Sequence, residues 1–167
     1  MNWDALGAIA ELIAASAFVI SFLFVGRQLQ QNREMEKASS QREILNQARA
    51  FFSLTRSDSR ILQAVSECMK HYSAADQEKK HIFYTWVIDF MLLVEQAWYM
   101  RRDGYINEAS YIGFENLCLS IFVTEGGQEA WPSLKKSWGK DAVEHFEKRL
   151  SEDAENIPKH YDLMPYL

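Results

Sequence analysis

Glycine and proline are scarce in this chain of 167 residues, which contains seven glycines and three prolines. Both residues interrupt helices, and no stretch shows the alternating β-branched pattern of a half-buried strand. The sequence therefore predicts an all-α fold. Its two cysteines, Cys68 and Cys118, form no CxxC pair and are expected to be reduced residues of the core.

Clusters of Lys or Arg are also missing, and the formal net charge is −5. Such a surface repels phosphate backbones, so nucleic-acid binding is not expected. No glycine-rich phosphate loop, nucleophile elbow or Ser-His-Asp grouping is present, and the chain is therefore not predicted to be an enzyme. Glu78-x-x-His81 and Cys68-x-x-His71 each supply only half of a metal site, so no metal or other cofactor is expected.

One long apolar run stands out, from Ala5 to Gly26. It has 22 residues, no Lys, Arg or Pro, and a single ionisable side chain, Glu11. As a helix it would be about 33 Å long, enough to cross a bilayer core of about 30 Å. Because Asp4 precedes the run and Arg27 follows it, a membrane span is favoured over a cleaved signal peptide or a buried soluble helix. Residues 1–28 are therefore predicted to be a transmembrane helix.

The charges flanking this run predict its orientation. No basic side chain precedes it, and the positions that follow carry several. An excess of Lys and Arg marks the cytoplasmic side, so the N-terminus is predicted to lie outside and the C-terminal part in the cytoplasm. The basic residues on that side are Arg27, Arg33, Lys37, Arg42 and Arg49.

Residues 29–55 contain no Gly or Pro and are rich in good helix formers. We predict a stalk that continues the membrane helix, giving one helix from about residue 4 to 55. The stalk's end is expected to dock into a cytoplasmic domain, residues 56–167, that forms a bundle of about five helices including this end. The docking residues would be Ile44, Leu45, Ala48, Phe51, Phe52 and Leu54.

Local signals predict where the helices of this domain begin and end. Ser57-Asp58 and Asn107 are typical helix N-caps, and Ser73 with Asp76 resembles a capping box. Asp103-Gly104 predicts a turn, and Gly126-Gly127 a helix stop. The last helix is expected from Asp141 to about Ala154, with His145 and His160 on the surface.

A second apolar run, His81 to Met100, could be a core helix or a second span. Asp89 and Glu95 lie near its middle, and each would cost about 2.5 to 3.5 kcal/mol in a bilayer, which favours the core helix. Buried carboxylates need partners, so we predict a buried polar network of Asp89 and Glu95, with a ligand pocket as the alternative. Candidate partners are Arg60, Arg101 and Arg102.

Glu11 is the single ionisable side chain within the apolar run of the predicted span. A carboxylate in a lone membrane helix usually faces protein or water, and small neighbours on the same face let helices approach closely. This face is therefore a candidate oligomer interface or pore lining. The alternative is that Glu11 snorkels to the outer headgroups. The face comprises Gly7, Glu11, Ala14, Phe18 and Ser21.

Several short pieces of the chain form a recognisable set: Glu11-Leu12-Ile13, Val19-Ile20-Ser21, Gln28 to Asn32, Glu95 to Tyr99, Arg102-Asp103-Gly104, and Glu125-Gly126-Gly127 followed by Trp131. These pieces resemble those of an uncharacterised bacterial family with an N-terminal membrane helix and a small helical cytoplasmic domain. The resemblance implies this architecture, in a bacterial inner membrane, but no activity.

The architecture is also similar to that of the membrane accessory proteins of Cas13-type CRISPR systems, which assemble into membrane pores. That looser resemblance implies a role in antiviral defence. Two functions follow as hypotheses. In the first, the membrane helices self-assemble into a homo-oligomeric, pore-like complex. In the second, the helix is a tether, and the cytoplasmic bundle binds a protein partner.

Overall fold

The computed structural model describes residues 3–163, apart from the side chain of Ala5, and separates the chain into two units that meet between Ser39 and Ser40. Every regular element among the described residues is helical, which confirms the predicted all-α fold. The α-helices are α1 (Trp3–Ser57), α2 (Ser59–His71), α3 (Gln77–Arg102), α4 (Glu108–Phe122), α5 (Glu125–Leu134), α6 (Lys140–Asp153) and α7 (His160–Leu163).

Helix α1 is continuous over 55 residues, which confirms the predicted single helix from about residue 4 to 55. It contributes residues to both units, and its described residues up to Ser39 are exposed. Of the six apolar residues predicted to dock, Ile44 and Ala48 are buried, Phe51 and Phe52 are half-buried, and the other two stay exposed. The second unit thus begins where α1 starts to bury one face.

Helix α3 is the central helix of the second unit, and it packs against α2, α4 and α5. This confirms that the apolar run His81 to Met100 forms a core helix. Arg101 and Arg102 end it, and Gly104 follows with a φ of 79°, a backbone conformation that favours glycine. Its buried residues are Phe83, Trp86, Val87, Phe90, Met91, Leu93, Val94 and Ala97.

The predicted N-caps are confirmed at Asp58 and Asn107, whose side chains accept hydrogen bonds from the backbone N–H groups of Arg60 and Ser110. The predicted capping box is wrong in detail. Asp76 itself caps α3 and accepts from the Lys79 N–H at 2.8 Å. A cap can thus be recognised from the residue type, but its partner depends on where the helix begins.

The prediction that Gly126-Gly127 stops a helix is wrong. Helix α4 ends at Phe122, and Thr124 caps α5, which contains both glycines in its first turn. Their role is close packing. A methyl group at Gly126 would overlap the carbonyl oxygen of Cys68 in α2.

The second unit contains more helices than the five that were predicted, because the short helices α5 and α7 are present as well.

Candidate functional site

The five residues of the predicted membrane face lie along one side of α1, spaced alternately four and three residues apart. All of them are exposed, and a methyl group at Gly7 would meet no atom within 4 Å. Phe18 is 65% exposed, and its ring meets that of its helical neighbour Phe22 with ring centroids 4.8 Å apart. The face formed by Gly7, Glu11, Ala14, Phe18 and Ser21 is therefore not covered by the described part of the chain.

The polar groups of this segment differ in how they are satisfied. Ser16 donates a hydrogen bond to the carbonyl of Leu12, and Ser21 donates to the carbonyl of Ala17, each at 2.8 Å. Both hydroxyls are thus satisfied inside the helix. Glu11 has no hydrogen bond or ion pair with any residue from 3 to 163. Its carboxylate is thus the polar group on this face without a partner among the described residues.

Large apolar side chains surround the rest of this segment. Leu12 is 69% exposed, Ile13 64% and Phe22 65%, although these three point in different directions around the helix. Among the described helices, α1 is the one that is long and apolar enough to cross a membrane, and none of its apolar stretch is buried inside the chain. Length and composition are thus sufficient for a membrane span.

The carboxylates of α3 do not form the predicted buried network. Asp89 is exposed and Glu95 is half-buried, because α3 leaves one face uncovered. The three candidate arginines bond elsewhere. Arg60 pairs with Asp58 at 2.8 Å, Arg101 with Glu108 at 3.0 Å and Arg102 with Asp103 at 3.0 Å.

The carboxylate that is buried belongs to Glu115 in α4, which is 3% exposed. The hydroxyl of Tyr111 donates to its Oε1 at 3.0 Å, and Nε2 of His145 contacts the same oxygen. Nε of Arg149 lies 3.3 Å from Oε2. Because His145 and Arg149 belong to α6, this cluster joins α4 to α6. Burial, together with the charge of Glu115, raises the pKa of Tyr111 well above its usual range.

The prediction that His145 and His160 lie on the surface is wrong for both. His145 is half-buried against Glu115, and His160 is 1% exposed. Nδ1 of His160 lies 2.8 Å from the Ser120 hydroxyl, and its ring meets the Trp86 ring edge-on at 6.2 Å. Burial lowers the pKa of His160 to about 4, so the imidazole is neutral near pH 7.

Sequence reasoning did not single out Tyr111 or Arg149. A signal existed, since Tyr111 and Glu115 are four residues apart, as are His145 and Arg149. Each pair therefore lies on one face of its helix. The predicted core cysteines are confirmed as buried and free, and burial raises the pKa of Cys68 to about 11.

An open cavity of about 500 Å³ lies between the end of α1, α2 and α3. Its floor includes the indole of Trp86, whose Nε1 donates to Thr55 Oγ1 at 2.8 Å. Phe51 stacks against Phe90 with ring centroids 5.4 Å apart. Glu78 and His81, the half metal motif, line this cavity.

Between Trp3 and Leu163, no group of three or more His, Cys, Asp or Glu side chains is arranged to hold a metal ion. The uncovered face of α1 and the open surface beside α3 are the candidate functional features of the described residues. Comparison of the chain with protein-family models, with curated proteins and with solved structures finds no match.

Proposed function

We propose that this protein is a single-pass protein of the bacterial inner membrane whose N-terminal helices assemble side by side into a homo-oligomer enclosing a pore. It acts through assembly and not as an enzyme. The observation that carries the proposal is the uncovered α1 face, on which Glu11 has no partner among the described residues.

The energetics of a carboxylate in lipid favour assembly. A charged side chain near the bilayer centre costs about 2.5 to 3.5 kcal/mol on insertion scales. The first unit consists of one helix over its described residues, so a protein partner for Glu11 in the membrane has to come from another molecule. Gly7 and Ala14 leave room for a second backbone, and carboxylates gathered around an axis would be hydrated by the water of the pore.

The flanking charges support the orientation within this proposal. Asp4 lies before the apolar stretch, while Arg27, Arg33 and Lys37 follow it on the exposed part of α1. The excess of basic residues after the span supports a cytoplasmic location for the second unit.

The mass of the full-length protein in detergent, corrected for bound detergent, tests the assembly. We expect a closed ring of five or more copies. Glu11→Leu should change this mass and the ion flux into vesicles, whereas Ser16→Leu, a polar-to-leucine change on the opposite side of α1, should change neither. Cysteines placed at positions 7, 14 and 18 should cross-link between copies.

Two results would contradict the pore. One is a monomeric or dimeric mass for the unaltered protein. The other is a Glu11→Leu variant that keeps both the mass and the flux, which would mean that Glu11 snorkels to the headgroups.

A second candidate function is that of a membrane tether whose folded unit binds a cytoplasmic protein. The open cavity beside α3 favours it, since apolar side chains are accessible there. The tether would be supported if the full-length protein had a monomeric or dimeric mass in detergent and its second unit bound a protein partner.

A further inference from the structure

The uncovered face of α3 forms one long groove. Besides the cavity of about 500 Å³, two more open cavities of about 260 Å³ and 520 Å³ follow along the helix. Asp89 lines the first and second cavities, and Leu92 and Gln96 line the second and third. We call this continuous surface the α3 groove; it extends from Glu78 to Tyr105 and lies within the second unit.

The floor of the α3 groove is apolar. Phe51 of α1 and Trp86 of α3 lie with ring centroids 5.4 Å apart. Leu92 is 51% exposed, although the other large apolar residues of α3 are buried or half-buried, and Leu54 near the end of α1 is 68% exposed. Covering these side chains would remove apolar surface from water, which is favourable for binding.

The rim of the α3 groove is acidic. Its one basic residue other than histidine is Arg60, which is already paired with Asp58 at 2.8 Å. Asp89 and Glu95 have neither a hydrogen bond nor an ion pair within the described ranges. The acidic residues that line the groove are Asp58, Glu78, Asp89, Glu95 and Asp103.

We propose that the α3 groove binds a basic amphipathic helix of a protein partner. Apolar side chains of that helix, spaced three and four residues apart, would cover Phe51, Trp86 and Leu92, and its Lys or Arg side chains would contact Asp89 and Glu95. The groove follows α3 from about residue 78 to 105, and at 1.5 Å per residue it would hold a helix of roughly 20 residues or more.

Charge decides between the possible occupants. An anionic lipid surface or a nucleic acid would be repelled by the rim, and a second copy of this chain brings a net charge of −5. The inference rests on the second candidate function, in which the folded unit binds a protein. It does not depend on the assembly of the membrane helices.

A designed peptide pair tests the proposal on the full-length protein in nanodiscs of neutral lipid. The first peptide is a fluorescent helix of about 18 residues with leucines along one face and lysines on the other. The second carries glutamates instead of the lysines. Fluorescence anisotropy, corrected for binding to empty nanodiscs, should show about tenfold tighter binding of the lysine peptide or more.

Charge-reversed variants locate the binding site. Asp89→Lys with Glu95→Lys should weaken binding of the lysine peptide about tenfold, and more at low salt. The control, Glu152→Lys with Glu155→Lys, makes the same change of net charge on exposed positions outside the groove, and should stay within about twofold. If the double variant loses its helical circular dichroism, Asp89→Lys alone replaces it in the binding assay, because an exposed side chain can be changed without disturbing the core.

Equal binding of the two peptides, or equal losses in the groove and control variants, would overturn the proposal. A change of oligomer mass in Asp89→Lys with unchanged peptide binding would assign the groove to a second copy instead, and would also overturn it. The peptide assay is separate from the mass measurement, so failure here leaves the assembly of the membrane helices untouched.

Discussion

Gly126 offers a sharp test of how α5 packs against α2. In the structure, a methyl group added at Gly126 would overlap the carbonyl oxygen of Cys68 and lie 2.9 Å from the carbonyl carbons of Cys68 and Met69. Carbon atoms normally approach to about 3.5 to 4.0 Å. The atoms in the way are backbone atoms of a buried helix, so no side-chain rotation can relieve the overlap.

We therefore expect Gly126→Ala to force α2 and α5 apart by roughly 1 Å and to lower the free energy of unfolding by about 3 kcal/mol. Gly113→Ala is the matched control. Gly113 is exposed within α4, and a methyl group there meets no atom within 4 Å. Because alanine favours a helix interior over glycine, the control should raise the free energy of unfolding by about 0.5 to 1 kcal/mol.

Urea unfolding of the full-length protein in detergent, followed by tryptophan fluorescence, measures both variants. Trp86, Trp98, Trp131 and Trp138 belong to the second unit, so the signal reports mainly on that unit. The same substitution should shift the transition to lower urea at position 126 and to higher urea at position 113. If both variants shifted in the same direction, the close approach of α2 and α5 would be refuted.

Two further predictions use the same unfolding assay. His160 has a pKa of about 4 in the folded protein, against about 6.5 for a histidine exposed to water, so between these values the unfolded chain binds a proton that the folded protein does not. The free energy of unfolding should therefore fall by about 2 kcal/mol from pH 7 to pH 5 because of this residue. The His160→Asn variant should lose this part of the pH dependence, and a free energy of unfolding that changed with pH as in the unaltered protein would contradict the prediction. Glu115→Gln should cost about 2 to 3 kcal/mol because a neutral amide replaces the buried carboxylate that contacts Tyr111, His145 and Arg149, and its NH2 group cannot accept their hydrogen bonds, whereas Glu152→Gln, on an exposed pair with Lys148, should cost under about 0.5 kcal/mol. Equal effects of the two substitutions would count against the buried cluster.

The features that could be predicted from the sequence are those determined by neighbouring residues. Helix α1 was predictable because residues 27–57 contain no glycine or proline. Asp58 and Asn107 were recognisable as N-caps because the cap bond reaches a backbone N–H only two or three residues further on. These interactions need no knowledge of the other helices.

The errors concern residues whose role depends on another helix. Gly126 was predicted to end a helix, but its small size serves the contact with α2, about sixty residues earlier in the chain. The burial of the Glu115 carboxylate was not predicted, because its partners His145 and Arg149 come from α6. Composition cannot indicate which carboxylate will be enclosed, since that depends on how the helices pack together.

Asp89 shows why a largely apolar helix need not be buried on every side. His81, Thr85, Asp89 and Gln96 are all exposed, and with Leu92 they follow one another at steps of three or four residues along α3. That spacing marks one face of the helix, and it could have been read from the sequence. Leu92 is the exposed apolar residue on this otherwise polar face, and Leu54 of α1, which lines the same groove, is exposed as well. Neither contributes much burial to the folded unit alone, and both would be buried by a helix seated in the α3 groove, which is why the groove favours a binding surface over a simple polar exterior.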